Sequence, residues 1–135
     1  MDPRERSISM TIIHGVVVDC ADPARLASFW KAVLGWEYRA NKPEEGWVSL
    51  QAPDGGGPAL SFGTVPEGKT VKNRVHLDIR PTGTEGWEAE RVRLESLGAT
   101  TLQYFEDAHY IMADPEGNEF CLLNPKWYEP EPESA

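Results

Sequence analysis

Asn73 to Pro81 reads NRVHLDIRP. Val75, Leu77 and Ile79 alternate with His76, Asp78 and Arg80, so a strand here sends three apolar side chains to one face and three polar ones to the other. An imidazole on the polar face can ligate a divalent ion, or line a pocket that needs no metal. Other potential donors are His14, Glu119 and Cys121. Cys121 as a nucleophile needs a base and a lowered pKa, which its sequence neighbours do not supply, so it reads as a small buried thiol. Glu119 stands two residues before it, on the same face of a strand that follows a Gly-Asn turn, and reads as a solvated strand-start residue or a general base. His109 reads as a half-exposed hairpin residue. Trp47 opens WVSLQ, where its indole shares a face with Ser49 and Gln51.

These residues are positioned by a chain that repeats itself. IIHGVVVDCADPARLASFWKAVLGWEY runs from a β-branched strand through a helix to Leu34-Gly35, and RVHLDIRPTGTEGWEAERVRLESLGAT runs likewise to Leu97-Gly98. His14 to Gly35 is 21 positions and His76 to Gly98 is 22. LQAPDGGGPALSF and IMADPEGNEFCL then each place a turn before a final strand. A duplicated unit fixes architecture better than local propensity does. Both halves read as strand, helix, then three strands.

In the first helix Asp22 is the N-cap, Pro23 fits the first turn, and Leu26, Phe29, Trp30 and Val33 form one face. Gly35 can take the left-handed position that ends it. The second helix is expected over 84–97, with Thr84 as cap, Trp87, Leu94 and Leu97 on one face, and Gly98 at its end. Strands are expected near 11–19, 36–40, 46–52, 58–65, 73–80, 100–105, 108–113 and 118–124, with Pro- and Gly-containing turns between the later strands of each half.

The 135 residues suit one domain, with 12 Gly and 11 Pro among its turns. The net charge of −9 disfavours nucleic acid and anionic lipid, which need clustered Lys and Arg. Cys20 and Cys121 lack CxxC spacing and read as reduced thiols, which fits a cytoplasmic protein. No signal-like or membrane-spanning run is expected. The domain is expected over 11–125, with module one about 11–66 and module two about 72–125. It is flanked by a flexible 1–10 segment and an acidic, Pro-rich 126–135 tail.

Two βαβββ halves carrying DCADPARLASFWKAVLGWE, NRVHLDI and MADPEGNEFCL, in this order and spacing, resemble the vicinal oxygen chelate superfamily, in particular its glyoxalase-like branch. The likeness covers about residues 12–124. It implies an α+β fold: two tandem modules whose curved mixed sheets surround a central cleft, with the helices outside. The superfamily includes glyoxalase I, extradiol dioxygenases, fosfomycin-modifying enzymes and bleomycin-binding resistance proteins, so the fold alone does not choose a function. The resemblance also implies homodimerisation.

In metal-using members, the first and last strands of each module supply one His or Glu ligand apiece. His76 matches the position that opens the second module. The fourth ligand falls seven residues after the Asp of the DPxG turn, which here is Cys121, while Glu119 lies about 6–7 Å nearer the strand's start. The closing strand of the first half, GPALSFGTVP, offers only Ser61 and Gly63 to the cleft. At the opening position Gly15 matches without a gap, and His14 matches if a bulge lies near Asp19-Cys20.

No cofactor is favoured on this reading; a divalent metal, if bound, would draw on His14, His76 and Glu119. The favoured function is a glyoxalase-like small-molecule binding protein with a degenerate metal site, serving ligand sequestration or resistance. Its candidate ligand-binding residues are Trp47, Ser49, Gln51, Ser61, Gly63, His76, Asp78, Arg80, Glu119 and Cys121. The alternative is a divalent-metal-dependent lyase, transferase or dioxygenase acting on vicinal oxygens. A metal-independent acid/base enzyme using His76 or Glu119 ranks third.

Overall fold

A computed structural model of the chain describes residues 9–83 and 85–127. The first module runs β1 (Gly15–Cys20), α1 (Pro23–Leu34), β2 (Glu37–Lys42), β3 (Trp47–Gln51) and β4 (Ala59–Thr64). The second repeats the pattern with β5 (Leu77–Ile79), α2 (Trp87–Leu97), β6 (Thr100–Phe105), β7 (His109–Ala113) and β8 (Glu119–Leu123). The sheets have matching orders, β1-β4-β3-β2 and β5-β8-β7-β6. In each, the module's first strand pairs parallel with its last and the other pairs are antiparallel. The repeat seen in the sequence is thus a repeat of topology.

Even the irregularities match. Arg39 stands unpaired between Tyr38 and Ala40 on β2, and Leu102 stands unpaired between Thr101 and Gln103 on β6. A residue pushed out of the ladder has its side chain re-aimed, which matters below for Arg39.

Helix α1 forms as its sequence dictates. The Asp22 side chain accepts the Arg25 N–H at 3.1 Å, Pro23 occupies the first turn, and Gly35 (φ 68°) donates its N–H to Lys31 O. Leu26, Phe29 and Trp30 are buried against Val48, Leu50, Leu60 and Phe62 of the sheet. Helix α2 starts later than the sequence suggests, at Trp87 after Gly86 (φ 98°), with no side-chain cap. The expected cap, Thr84, lies outside the described residues.

Two strands are shorter than expected. β1 begins at Gly15 rather than residue 11, leaving Ile12 and Ile13 87 % and 73 % exposed. β5 covers only Leu77–Ile79, and Val75 is 76 % exposed instead of packing beneath the second helix. Leu77 and Ile79 do pack against the core. The reason lies at Asn73, whose backbone N–H goes to Glu119 Oε1 at 3.1 Å while its side-chain amide donates to Glu119 O, also at 3.1 Å. Its donors are spent on a loop clamp, not on a sheet ladder. At the other end, Trp127 Nε1 donates to Asp107 O and Lys126 pairs with Asp107 at 3.2 Å, so the chain is tied down through residue 127.

The modules meet around Trp30. Its ring lies edge-on to Phe120 (centroids 5.0 Å apart) and Phe29 (5.2 Å), and its Nε1 donates to Asp114 Oδ2 at 3.2 Å. Glu116 reaches back across the junction, accepting the Ala21 and Asp22 N–H groups at 2.7 and 2.8 Å. The turn before β8 therefore locks onto the β1–α1 corner. Among the described residues, no helix is long and apolar enough to cross a membrane.

Candidate functional site

The inward rows of the two sheets frame contiguous hollows. One, of about 490 Å³, lies between β1 and the start of β5 and β8 and is lined by Val17, Trp30, Lys69, Asn73, His76 and Glu119 among others. A second, of about 720 Å³, covers the inner face of the first sheet and is lined by Ile13, His14, Val17, Arg39, Trp47 and Ser61 among others. Val17 borders both. Gln51 borders a smaller hollow that shares His14 and Arg39.

Alternation on β3 and β4 places Trp47, Ser49, Ser61 and Gly63 where the sequence expects them. Trp47 pairs with Gly63 and Ser49 with Ser61. The indole lies over Gly63, where an added Cβ would meet its Cζ3 at 3.4 Å, so the missing side chain makes room for the ring. Ser49 and Ser61 are only 2 % and 4 % exposed, and their hydroxyls bond to each other at 2.8 Å. That bond uses one of two hydroxyl hydrogens, so the pair can still donate once.

The β1–β4 register runs residue for residue from Gly15↔Ala59 to Cys20↔Thr64, so the bulge that would bring His14 into line is not there. Gly15 holds the inward position beside Ala59, where a Cβ would meet Ala59 O at 3.0 Å. His14 instead meets the bulged Arg39, with guanidinium Nη1 and imidazole Nε2 3.0 Å apart. Arg39 has no signature in the sequence, and it stands at the bulge of β2 where it meets a residue 25 positions earlier.

Glu119 is not the solvated residue expected. Its side chain is 14 % exposed and sits 2.8 Å from Lys69 Nζ. Lys69 foremost, and the Asn73 N–H, hold its carboxyl below the usual range against the opposing effect of burial. A carboxylate stabilised in this way is a weaker base, which counts against the general-base role. Because the native pKa is depressed, the stability this pairing contributes is present above the ordinary value of 4.5 and lost as pH falls through the lower native one. Unfolding followed from pH 6 down to about pH 3 should show Glu119→Gln with a shallower acid loss than the parent; parallel curves would show that the pairing contributes nothing.

His76 faces inward and bonds to its neighbour Asp78, as a pocket histidine is expected to, rather than joining His14 and Glu119. Its Nε2 lies 3.1 Å from Asp78 Oδ1, and Asp78 pairs in register with Cys121 on β8. Among the described residues, His76, Asp78 and Cys121 form the one group of three potential metal donors, their ligand atoms all within 4.8 Å of one another. Neither His14 nor Glu119 joins it, one being turned to Arg39 and the other to Lys69. The His14, His76 and Glu119 set therefore does not fit a divalent ion. Arg80 is exposed just past the end of β5.

Cys121 is half-buried, not fully buried, and both cysteines are free. Burial, then the charge and hydrogen bond of Asp78, push the Cys121 thiol up. Burial, then the Glu116, Asp22, Asp19 and Asp114 carboxylates, push Cys20 up to about 11. Both effects favour the neutral thiol, which argues against a nucleophilic role. Iodoacetamide at pH 7.5 should accordingly label the native chain more slowly than free cysteine; rapid modification of Cys121 would contradict the assignment.

Two four-stranded mixed sheets in tandem, each with one helix and with inner hollows that meet at Val17, have the architecture of the vicinal oxygen chelate class of fold. The model of the glyoxalase-like domain family matches residues 15–123, and the chain belongs to that family. No curated protein matches it by sequence. Among solved structures it is similar to a possible glyoxalase from Bacillus cereus, with TM-score 0.66 and 16 % identity over 84 % of this chain and 99 % of that one. It is also similar to the fosfomycin resistance protein FosX from Mesorhizobium loti, with TM-score 0.66 and 11 % identity over 85 % and 92 %. A glyoxalase/bleomycin resistance protein/dioxygenase family enzyme from Burkholderia phytofirmans superposes with TM-score 0.63 and 17 % identity, covering 81 % and 94 %.

Proposed function

We propose that this chain is a small-molecule binding protein that holds an organic ligand in the hollow on the inner face of its first sheet, which meets the hollow between the modules at Val17, without the His and Glu metal cage of metal-using relatives. One observation carries the reading: apolar walls (Val17, Trp47, Ile13) stand beside a few convergent polar groups, the Arg39–His14 pair and the Ser49–Ser61 pair. That combination is what small-molecule pockets require, with apolar surface for affinity and sparse polar anchors for orientation. Gln51, Gly63, His76, Asp78, Arg80, Glu119 and Cys121 complete the proposed ligand-facing set, with Glu119 acting through Lys69 and Asn73. Sequestration or resistance is the physiological form the reading favours, in line with the resistance protein among its structural neighbours. Two free thiols suit a cytoplasmic location. A second copy is part of the reading, because exposed Ile12, Ile13, Val17 and Val75 would gain from cover.

The second reading is a metal-dependent lyase, transferase or dioxygenase acting on vicinal oxygens, favoured by the inward-facing His76. Amide and indole NMR spectra recorded against a library of amphipathic aromatic compounds separate the readings. Metal-independent binders should shift Trp47, Ser49, Ser61 and Arg39 together, and Trp47→Ala should weaken them about tenfold, the effect of one aromatic contact. Binders that need added divalent metal would favour the enzyme.

A further inference from the structure

Charged side chains are unevenly divided between the hollows. Four carboxylates, those of Asp19, Glu67, Asp114 and Glu119, border the hollow between the modules. Among the described residues, none borders the first-sheet hollow or the smaller one beside it; in both, the fixed charge is the guanidinium of Arg39, with the His14 imidazole next to it. The chain as a whole carries a net charge of −9. A hollow in which the local charge is a lone cation favours the opposite charge in whatever it holds.

Arg39 is also well placed to make that contact. It stands at the β2 bulge beside Ala40, whose register partner Ser49 is bonded to Ser61. A guanidinium can only donate, so in the 3.0 Å contact with His14 it is Nε2 that accepts. That contact uses one of the five guanidinium N–H groups and steadies the fork. Among the described residues the Arg39 side chain makes no further hydrogen bond and no ion pair. Nearby, the Ser49–Ser61 pair keeps one O–H to donate, and Trp47, 37 % exposed, forms an apolar wall with Val17.

We propose that the first-sheet hollow takes an organic acid, its carboxylate held by Arg39 with the Ser49–Ser61 pair as second donor, and its flat apolar body laid against Trp47 and Val17. This rests on the small-molecule reading and names the ligand class for it. A carboxylate offers two oxygens at the spacing of two parallel guanidinium N–H groups, and its single charge is balanced by one arginine. A phosphate ester, with nearly twice that charge at neutral pH, calls for a second fixed cation or a helix N-terminus. Among the described residues, no lysine and no second arginine lines either hollow. The carboxylates around the neighbouring hollow would repel the same ligand, which directs it to the first sheet.

The probes are benzoate, naphthoate and phenylpropionate, each beside its own carboxamide, together with naphthyl phosphate. They are titrated into the full-length protein at neutral pH and followed by amide, indole and guanidinium NMR signals. The expected result is that acids bind about five- to tenfold tighter than their carboxamides, the scale of one partly exposed charge-assisted contact. Trp47 and Arg39 signals should shift together, and naphthyl phosphate should gain nothing over naphthoate. Arg39→Gln should bring acid and carboxamide to equal affinity, and the carboxamide shifts that remain show that the variant has folded. Arg39→Lys should recover only part of the preference, since it keeps the charge and loses the fork. Carboxamides that bind as tightly as the acids, a preference that survives Arg39→Gln, or a phosphate that outbinds the carboxylate would each overturn the proposal while leaving the small-molecule reading intact. If no probe of either kind shifts the signals of the hollow, both fall together.

Discussion

Trp30→Ala should destabilise the chain by about 3–5 kcal/mol, the range for deleting a large buried aromatic. Trp30 is 2 % exposed and touches three things at once: Phe29 within its own helix, Phe120 of the other module, and the Asp114 carboxylate through its indole N–H. Alanine leaves a cavity at the junction and a buried carboxylate short of one donor. Against a typical total stability of about 5–15 kcal/mol, a loss of this size is a large fraction of what holds the fold. Urea unfolding checks it, with a drop in midpoint at unchanged slope as the expected pattern. Trp30→Phe helps to separate the two contributions, since it removes the hydrogen bond while keeping a smaller aromatic ring, for a cost of about 1–2 kcal/mol from the hydrogen bond plus that of the lost ring atoms. Because Trp30 also lines the 490 Å³ hollow, the alanine variant should lose ligand binding together with stability. A cost below about 1 kcal/mol would mean that the modules are held together elsewhere.

The second large effect is expected at Asp114, which is 4 % exposed. Its Oδ1 accepts from the Glu116 N–H at 2.9 Å and the Asn118 N–H at 3.0 Å, and its Oδ2 accepts from Asn118 Nδ2 at 3.0 Å and Trp30 Nε1 at 3.2 Å. One carboxylate thus builds the turn and fastens it to the first module. Gly117 (φ 87°) lets the chain double back so that these donors converge. Asp114→Ala leaves several donors unpaired at once, and the expected cost is about 2–4 kcal/mol. It should also release Glu116 from the Ala21 and Asp22 N–H groups, loosening the β1–α1 corner. A double-mutant cycle with Trp30→Phe should give a coupling of about 0.5–3 kcal/mol, since the two residues share a hydrogen bond; strict additivity would argue that the contact contributes little.

These two residues also mark how far the sequence is legible. Asp114 belongs to the DPEG turn and Trp30 to the apolar face of a capped helix, both patterns set by neighbours within a few positions. The cap at Asp22 and the alternation that groups Trp47, Ser49, Ser61 and Gly63 were readable for the same reason, and the duplication because one pattern recurs in both halves. The features that define the site's chemistry depend instead on partners far along the chain. Asn73 looks like the start of a strand until Glu119, 46 residues on, takes its backbone N–H. Arg39 carries no pattern of its own in the sequence, and its contact with His14 joins residues 25 positions apart beside a bulge. Asp78 and Cys121 meet only because β5 and β8 pair in one particular parallel register, which no local signal specifies. Periodicity names the face a residue occupies, and tertiary register decides what it meets there.

The central claim is that the hollow engages its ligand through the protein's own anchors and not through an ion gripped by His14, His76 and Glu119. Titration of chelator-treated, untagged protein with manganese(II), followed by electron paramagnetic resonance of the free ion, tests this most directly, because manganese prefers oxygen-rich sites and does not compete well for a thiolate. The account predicts no stoichiometric site tighter than about millimolar, the same curve for the parent, His14→Ala and Glu119→Gln, and full retention of organic-ligand binding in manganese-free protein. One tightly bound manganese per chain, lost in His14→Ala or Glu119→Gln, would contradict it.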